Sequence, residues 1–257
     1  MKIAVCIKQV PTRDWQPRLR DDKAWIRDQD VSYEMNEPDA YALEEGLRLR
    51  ERHGGEVVVC SAGPSRVQQV LREALARGAD RAIHVEDESL GAADPFVTAG
   101  ALAAAMAGER FDLVLTGLQS DDQGHGQAGV VLAEKLGMPH STIIMEVQAD
   151  PAAAPPKVRV KRELEGGWFQ WVSMPLPALL TIQSGINQLR YATLRGIMAA
   201  KKKDIRSVPR PADLQPRQEI AALTLPVRVK QTQMIGGSAP EAARELVRRL
   251  REEARVL

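Results

Sequence analysis

Three features of the 257-residue chain predict an α/β fold whose parallel sheet is covered by helices on both faces. Short β-branched runs (MKIAVCIKQV, EVVVC, RAIHV, DLVLTG) alternate with helical runs as far as Gly137. The strand runs are apolar at nearly every position, as strands buried on both faces require. Between them apolar residues recur at helical spacing, which makes each strand–helix–strand passage a right-handed βαβ unit.

Taken in order, MKIAVCIKQV reads as a single central strand. Residues 11–35 are polar and irregular, an excursion anchored by Trp15, Trp25 and Tyr33. Asn36 precedes a helix with Ala40, Leu43 and Leu47 on one face, closed by Gly54. GEVVVCSAGP is a buried strand ending at Gly63. SRVQQVLREALARGA is a helix, because Val67, Val70, Leu71, Ala74 and Leu75 fall on one stripe. RAIHVED is a strand, and DPFVTAGALAAAMAG a helix capped by Asp94 with Pro95 in its first turn. DLVLTG then runs into the glycine-broken loop LQSDDQGHGQAG and the helix VVLAEKLG.

After Gly137 the pattern changes. PHSTIIMEVQ is strand-like. Within KVRVKRELEGGWFQWVSMPLPALLTI, two alternating runs joined at Gly166 and Gly167 predict an added antiparallel β-hairpin with one wet face, since Val158 and Val160 alternate with Arg159 and Lys161. Trp168, Phe169 and Trp171 are expected to cover its apolar side. Residues 184–236 show little periodicity and much charge, including Lys201, Lys202 and Lys203. Ser238 and Glu241 form a capping box for a last helix with an apolar stripe of Ala243, Leu246, Val247 and Leu250. The expected division is therefore an α/β domain over 1–183 and an extended C-terminal arm over 184–257, ending in a helix.

The charge balance of 35 basic and 34 acidic residues gives no support to a nucleic-acid partner. Cys6 and Cys60 lie inside apolar runs without metal-ligand spacing, so they read as reduced core residues. No apolar run reaches the roughly 18 residues of a membrane span, so direct membrane insertion is not expected. The chain begins directly in a strand, which leaves no targeting segment and points to a cytoplasmic location.

A strand that ends in a glycine-rich turn before a helix presents backbone N–H groups and the positive end of a helix dipole, a place for a phosphate. Many such loops are only connectors, so the motif alone decides little. In parallel sheets, however, ligands sit at the carboxyl ends of the strands. That rule gathers Ile7 and Lys8, Asn36, Cys60–Gly63 and Gly117–Gly129 around one crevice.

The segments MNEPDAYALEEGLRLRE, SAGP, LREALARGADRAIHVED, TGLQSDDQGHGQAG, KRELEGG and above all LRYATLRGIMAAKKK resemble the β subunit of electron transfer flavoprotein (ETF) over essentially the whole chain. The resemblance implies a Rossmann-like, HUP-type adenine-nucleotide-binding domain that holds AMP, paired with an α subunit that carries most of the FAD. It implies an electron carrier, not an enzyme, taking electrons from flavin dehydrogenases of the acyl-CoA dehydrogenase type. They pass on to an ETF:quinone oxidoreductase type acceptor. The C-terminal arm would wrap the α subunit.

Carried over by position, Ile7, Asn36, Cys60, Gln123, Gly124, Gly126, Gln127 and Gly129 would hold the nucleotide, with the amides near Gly126 and Gln127 on the phosphate. Asn36 would fix the sugar or base side. Arg162 and Glu163 would face the mobile flavin domain of α. Leu194, with Tyr191, Ile197 and Met198, would recognise the dehydrogenase, and Lys201–Lys203 would serve as rim charges. Bifurcating relatives place a second FAD where others hold AMP and often carry Val-Pro-Asp-Thr after the first strand. Here Val10-Pro11-Thr12-Arg13 stands instead, which favours AMP. Trp15 lies roughly where relatives place an aromatic close to the flavin. The same fold also serves two other classes, a nucleotide-hydrolysing or adenylating enzyme, here using Ser61, and a stand-alone nucleotide sensor.

Overall fold

The computed structural model describes residues 1–29, 31–226 and 232–257. The described chain forms two compact units, Met1–Leu223 and Thr224–Leu257. The expected division at residue 183 does not coincide with this one, because a helix and an edge strand after residue 190 belong to the first unit.

In chain order the strands are β1 (Lys2–Cys6), β2 (Gln9–Pro11), β3 (Tyr33–Met35), β4 (Glu56–Gly63), β5 (Arg81–Glu86) and β6 (Leu113–Gly117), followed by β7 (His140–Asp150), β8 (Lys157–Glu163), β9 (Phe169–Pro175), β10 (Ala178–Ile182) and β11 (Ile205–Pro209). The helices are α1 (Glu37–His53), α2 (Gln68–Arg77), α3 (Pro95–Met106), α4 (Ala128–Leu136), α5 (Leu194–Ala200) and α6 (Ala239–Glu252). The main sheet runs β11-β5-β4-β1-β6-β10-β7-β8-β9. It is parallel from β11 through β7 and antiparallel across β7, β8 and β9.

Strand alternation sorts the core into two layers. Ile3, Val5, Val57, Val59 and Leu115 pack with Leu43 and Leu47 of α1 and Val70, Leu71 and Leu75 of α2. Ala4, Cys6, Val58, Cys60 and Val114 pack on the other face with Ala99 and Leu102 of α3 and Leu132 and Ala133 of α4. The Asp94 cap is present, its carboxylate accepting the Val97 N–H at 2.7 Å.

Four expectations are corrected. MKIAVCIKQV is not one strand: β1 ends at Cys6, and β2 leaves to pair with β3 in a separate two-stranded sheet. The physical reason is that the Lys8 N–H goes to the Asp39 carboxylate at 2.8 Å and the Lys8 carbonyl to the Asn36 N–H at 2.9 Å, so neither is available to a neighbouring main-sheet strand. Second, ALLTI is not part of the hairpin. As β10 it inserts in the middle of the sheet between β6 and β7, buried at all five positions.

Third, Trp168, Phe169 and Trp171 do not cover the hairpin's apolar side; they are 75, 46 and 40% exposed. The register sets Trp171 opposite Lys161 and Phe169 opposite Glu163, while Val158 and Val160 lie opposite Met174 and Val172 on the buried face. Two of the rings instead stack with cations, Arg159 over Trp171 at 4.4 Å and Lys161 over Phe169 at 4.2 Å.

Fourth, the stretch 184–236 is not irregular throughout, since it holds α5 and the edge strand β11. Its residues 227–231 lie outside the described residues. In α6 the Ser238 N–H donates to the Glu241 carboxylate at 2.8 Å, the backbone half of the expected capping box, and the Ser238 hydroxyl donates to the same carboxylate at 2.7 Å. No residue of α6 is buried, and Leu246 and Val247 are exposed.

Candidate functional site

From β1 the chain passes through α1 to β4 on one side, and α3 later returns it across to β6 on the other. The carboxyl ends of β1 and β6 therefore flank a point where the strand order reverses, the place where open α/β sheets bind ligands. A crevice lies there, lined among others by Cys6, Ile7, Lys8, Asn36, Asp39, Thr116 and Gly117 and by most of the following loop, including Gln119, Gln123 and His125–Gly129.

The loop is held from below by α1. Asn36 stands at the N-terminus of that helix but does not cap it. Its amide donates to the Gln119 carbonyl at 3.0 Å and its oxygen accepts the Asp121 N–H at 2.9 Å. Both ends of the side chain are thus spent on the loop, so Asn36 shapes the crevice wall. One turn later, the buried Asp39 accepts the N–H groups of Lys8 (2.8 Å) and Gly117 (2.7 Å). Burial pushes the Asp39 carboxyl up to about 7, although these two amides and Asn36 pull it down. Gly117 is required here, because a Cβ would sit inside contact distance of Asp39 and Pro38.

Lys8 closes the same loop from the strand side. Its ammonium donates to Asp122 (2.7 Å), Gln123 (2.8 Å) and Ser120 (3.3 Å). Arg13 pairs with Glu37 and reaches Asp121 at 3.7 Å, joining the excursion to the same corner. At the far end the loop enters α4. Gln127 does not cap that helix; its side chain accepts from Gln218 at 3.0 Å. The first N–H groups of α4 have no intrahelical acceptor and lie in the crevice wall with Gly126. Gly126 has φ 63°, and a Cβ there would meet only the Leu118 carbonyl, at 3.9 Å. Gly129 lets α4 sit directly on Thr116 and Thr181.

Of the nucleotide residues expected from sequence, Ile7, Asn36, Gln123, Gly126, Gln127 and Gly129 line the crevice, whereas Cys60 and Gly124 do not. Cys60 is fully buried, and burial pushes its thiol up to about 12; only its carbonyl reaches the site's edge, accepting the Ile7 N–H at 2.9 Å. Gly124 turns the loop, with φ 61° and its N–H on the Ser120 carbonyl at 3.0 Å. Ser61 is buried and its hydroxyl donates to the Ile7 carbonyl at 2.6 Å, so it is not presented to a ligand. Asp39 was missed by sequence reasoning; a carboxylate in a helix's first turn is ordinary, and nothing in the chain order announces its two strand-end partners. Trp15 does not line the crevice. Trp25 lines a hollow beside it that shares Ala93, Gln123 and His125 with the crevice.

The family model described as electron transfer flavoprotein domain matches residues 24–213. The chain belongs to the electron transfer flavoprotein β-subunit family. It is 36% identical to the electron transfer flavoprotein subunit beta of Methylophilus methylotrophus, over 98% of each chain. The Homo sapiens subunit is 34% identical over 100% of this chain and 99% of its own. That of Bacillus subtilis is 32% identical over 100% of both. As an ETF β-type subunit the chain is part of an electron carrier rather than a classical enzyme. The family generally binds flavin, and a β subunit implies an α-subunit partner. Among the described residues no helix is long and apolar enough to cross a membrane.

The other ETF positions are distributed as follows. Arg162 and Glu163 are successive residues of β8 and so project to opposite faces. Glu163 accepts from the Gln183 side-chain amide at 3.3 Å. Tyr191, Leu194, Ile197 and Met198 are 93, 82, 45 and 72% exposed, four apolar side chains on one short stretch. Lys201 and Lys202 are exposed, but Lys203 is turned inward and donates to the Leu75 (3.1 Å) and Ala79 (2.5 Å) carbonyls. It is therefore not a rim charge, because its ammonium is used on carbonyls at the end of α2.

Proposed function

We propose that this β subunit pairs with an α subunit in a cytoplasmic ETF heterodimer and holds a structural AMP in the crevice. The observation that carries this reading is the uncapped start of α4 with Gly126 at the strand-order reversal, a phosphate seat made of backbone amides. Lys8 is committed to its own loop, so the phosphate would be met by N–H groups around Gly126 and Gln127. The residues present suit an adenine nucleotide: apolar walls from Leu90, Pro95, Leu102 and Leu132 beside a polar loop.

Electrons would come from flavin dehydrogenases of the acyl-CoA dehydrogenase type. They would pass through FAD held mostly on α toward an ETF:quinone oxidoreductase type acceptor. Bound FAD supplies the redox chemistry; this chain supplies position. Tyr191, Leu194, Ile197 and Met198 would dock the dehydrogenase, since exposed apolar side chains clustered this way mark a partner surface. The end of the hairpin, with Arg162 and Glu163 as separate contacts, would face the flavin domain of α. The arm beyond residue 183 would wrap α, the unburied stripe of α6 supporting its last part.

One observation favours a second reading, a bifurcating subunit with a second FAD reacting with NAD(H). The hollow lined by Trp25, Ser89, Asp94 and Arg210 adjoins the crevice and offers room beyond a mononucleotide. Co-expression with α, denaturation and separation of the released nucleotides tests both: one FAD and one AMP per heterodimer are expected. Two flavins without AMP would replace the first reading by the second.

A further inference from the structure

The apolar segment 191–198 is exposed at its side chains, yet its backbone is tied down on both sides. Before it, Arg190 forks onto two carboxylates of α1: Nε and Nη2 donate to Glu44 at 2.8 and 3.1 Å, and Nη1 and Nη2 to Glu51 at 2.5 and 3.2 Å. Glu44 is buried and also accepts from Arg48, whose other end donates to the Gln188 carbonyl at 3.0 Å. Asn187 adds bonds to the Tyr41 carbonyl (3.1 Å) and Glu45 (3.2 Å). The chain thus leaves α1 at one defined point.

After the segment, α2 takes over. Arg72 donates to the Ala200 and Lys203 carbonyls at 2.6 and 2.7 Å, and the Lys203 ammonium reaches back to the Leu75 and Ala79 carbonyls. Burial pushes the Lys203 ammonium down from its ordinary value, consistent with its inward position. Between the two brackets Thr193 caps α5 through the Gly196 N–H at 3.0 Å. A Cβ at Gly196 would collide with the Ala76 carbonyl, so α5 rests directly on the backbone of α2.

We propose that Arg190 and Lys203 are positioning residues that hold segment 191–198 as a preformed docking platform, one fastening it to α1 and the other to α2. The proposal rests on the reading of that segment as the dehydrogenase-docking surface. Its physical content is preorganisation: an apolar cluster on a fixed backbone loses only side-chain freedom on binding, whereas a loose loop also loses backbone freedom. Neither residue touches the partner. Arg190 acts through the direction in which Tyr191 and Leu194 leave α1, Lys203 through the seat of α5.

The test uses the complete heterodimer with its α subunit and bound cofactors, and a medium-chain acyl-CoA dehydrogenase turning over octanoyl-CoA as the probe. Arg190→Ala and Lys203→Met are compared with Lys157→Met, which alters only an exposed charge at the start of β8. Amide hydrogen exchange over 191–200 is expected to accelerate about tenfold or more in the first two variants and to stay unchanged in the third. The KM for the heterodimer is expected to rise roughly fivefold with kcat within about twofold. Lys157→Met is expected to leave both KM and kcat within about twofold. Should Arg190→Ala fail to assemble, Arg190→Lys, which keeps the charge and loses the fork, carries the same comparison.

Unchanged exchange over 191–200 in the positioning variants overturns the proposal, and so does faster exchange with unchanged KM. If Leu194→Ala also leaves KM unchanged, the docking reading itself has failed. The exchange data then still decide whether Arg190 and Lys203 hold the segment.

Discussion

The side chain of Asp39 accepts the backbone N–H of Gly117 at 2.7 Å, fastening the first turn of α1 to the last residue of β6. The other oxygen takes the Lys8 N–H, so one buried carboxylate spans the two strand ends that flank the crevice. Gly117→Ala should break this clamp, because the new methyl competes for the space of Asp39 and Pro38. Overpacking plus a lost buried hydrogen bond should cost about 2 to 4 kcal/mol. Chemical denaturation measures the cost, and the nucleotide content of the purified heterodimer should fall with it.

Asn36→Ala removes both bonds that hold the loop at Gln119 and Asp121. The expected loss is about 1 to 3 kcal/mol, concentrated in the loop. Amide exchange over 118–127 should accelerate while β1 and β4 stay protected. Asn36→Asp keeps the acceptor for Asp121 but loses the donor to Gln119 and adds a charge near Asp39, so it should retain nucleotide less well than wild type.

Burial raises the Asp39 carboxyl to about 7 in the folded chain. The folded state then holds a proton that the unfolded chain has released. This contribution is complete below about pH 4 and is lost as pH rises toward 7, with a slope of up to about 1.4 kcal/mol per unit. Asp39→Asn should flatten that stretch of the stability profile, which thermal unfolding from pH 4.5 to 7.5 would measure; an unchanged slope would count against the assignment.

Glu109 behaves with the opposite sign. Arg81, Lys2 and Arg206 each donate to it at 2.8 Å, and the bonds from Arg81 and then Lys2 hold its carboxyl down at about 2. Its contribution is therefore present above about pH 4.5 and disappears as pH falls toward 2. Glu109→Gln should lower stability at neutral pH by about 1 to 3 kcal/mol, since it leaves three cations with one fewer carboxylate. In the acid range the variant and wild type should converge.

Leu194 is 82% exposed, so Leu194→Ala should leave folding stability within about 0.5 kcal/mol. Flavin and nucleotide content should also be unchanged. If Leu194 anchors the dehydrogenase, the rate of flavin reduction should fall by roughly tenfold or more, matching the burial of one leucine side chain. Stopped-flow reduction at varied dehydrogenase concentration separates this loss of docking from a loss of folded protein.

Much of this protein was determined by its sequence alone. The apolar runs around Val5, Val59, Val85 and Leu115 specify buried parallel strands, because such runs have no wet face to offer. The stripes of α1 and α2 and the Asp94 cap follow from local rules that need no partner, and the glycines of 117–129 mark the crevice. Tertiary structure alone decided the rest. ALLTI has the same composition in a hairpin or a central strand, and only its neighbours β6 and β10's other flank β7 place it in the middle of the sheet. Which face of the hairpin carries Phe169 and Trp171 depends on a register that one residue of slip would invert. Asp39, Arg190 and Lys203 look like ordinary helix-surface or loop charges in the chain. Their roles come from partners that are distant in sequence, Gly117, Glu44 and Leu75, and a pairing between distant residues exists only once the chain has folded.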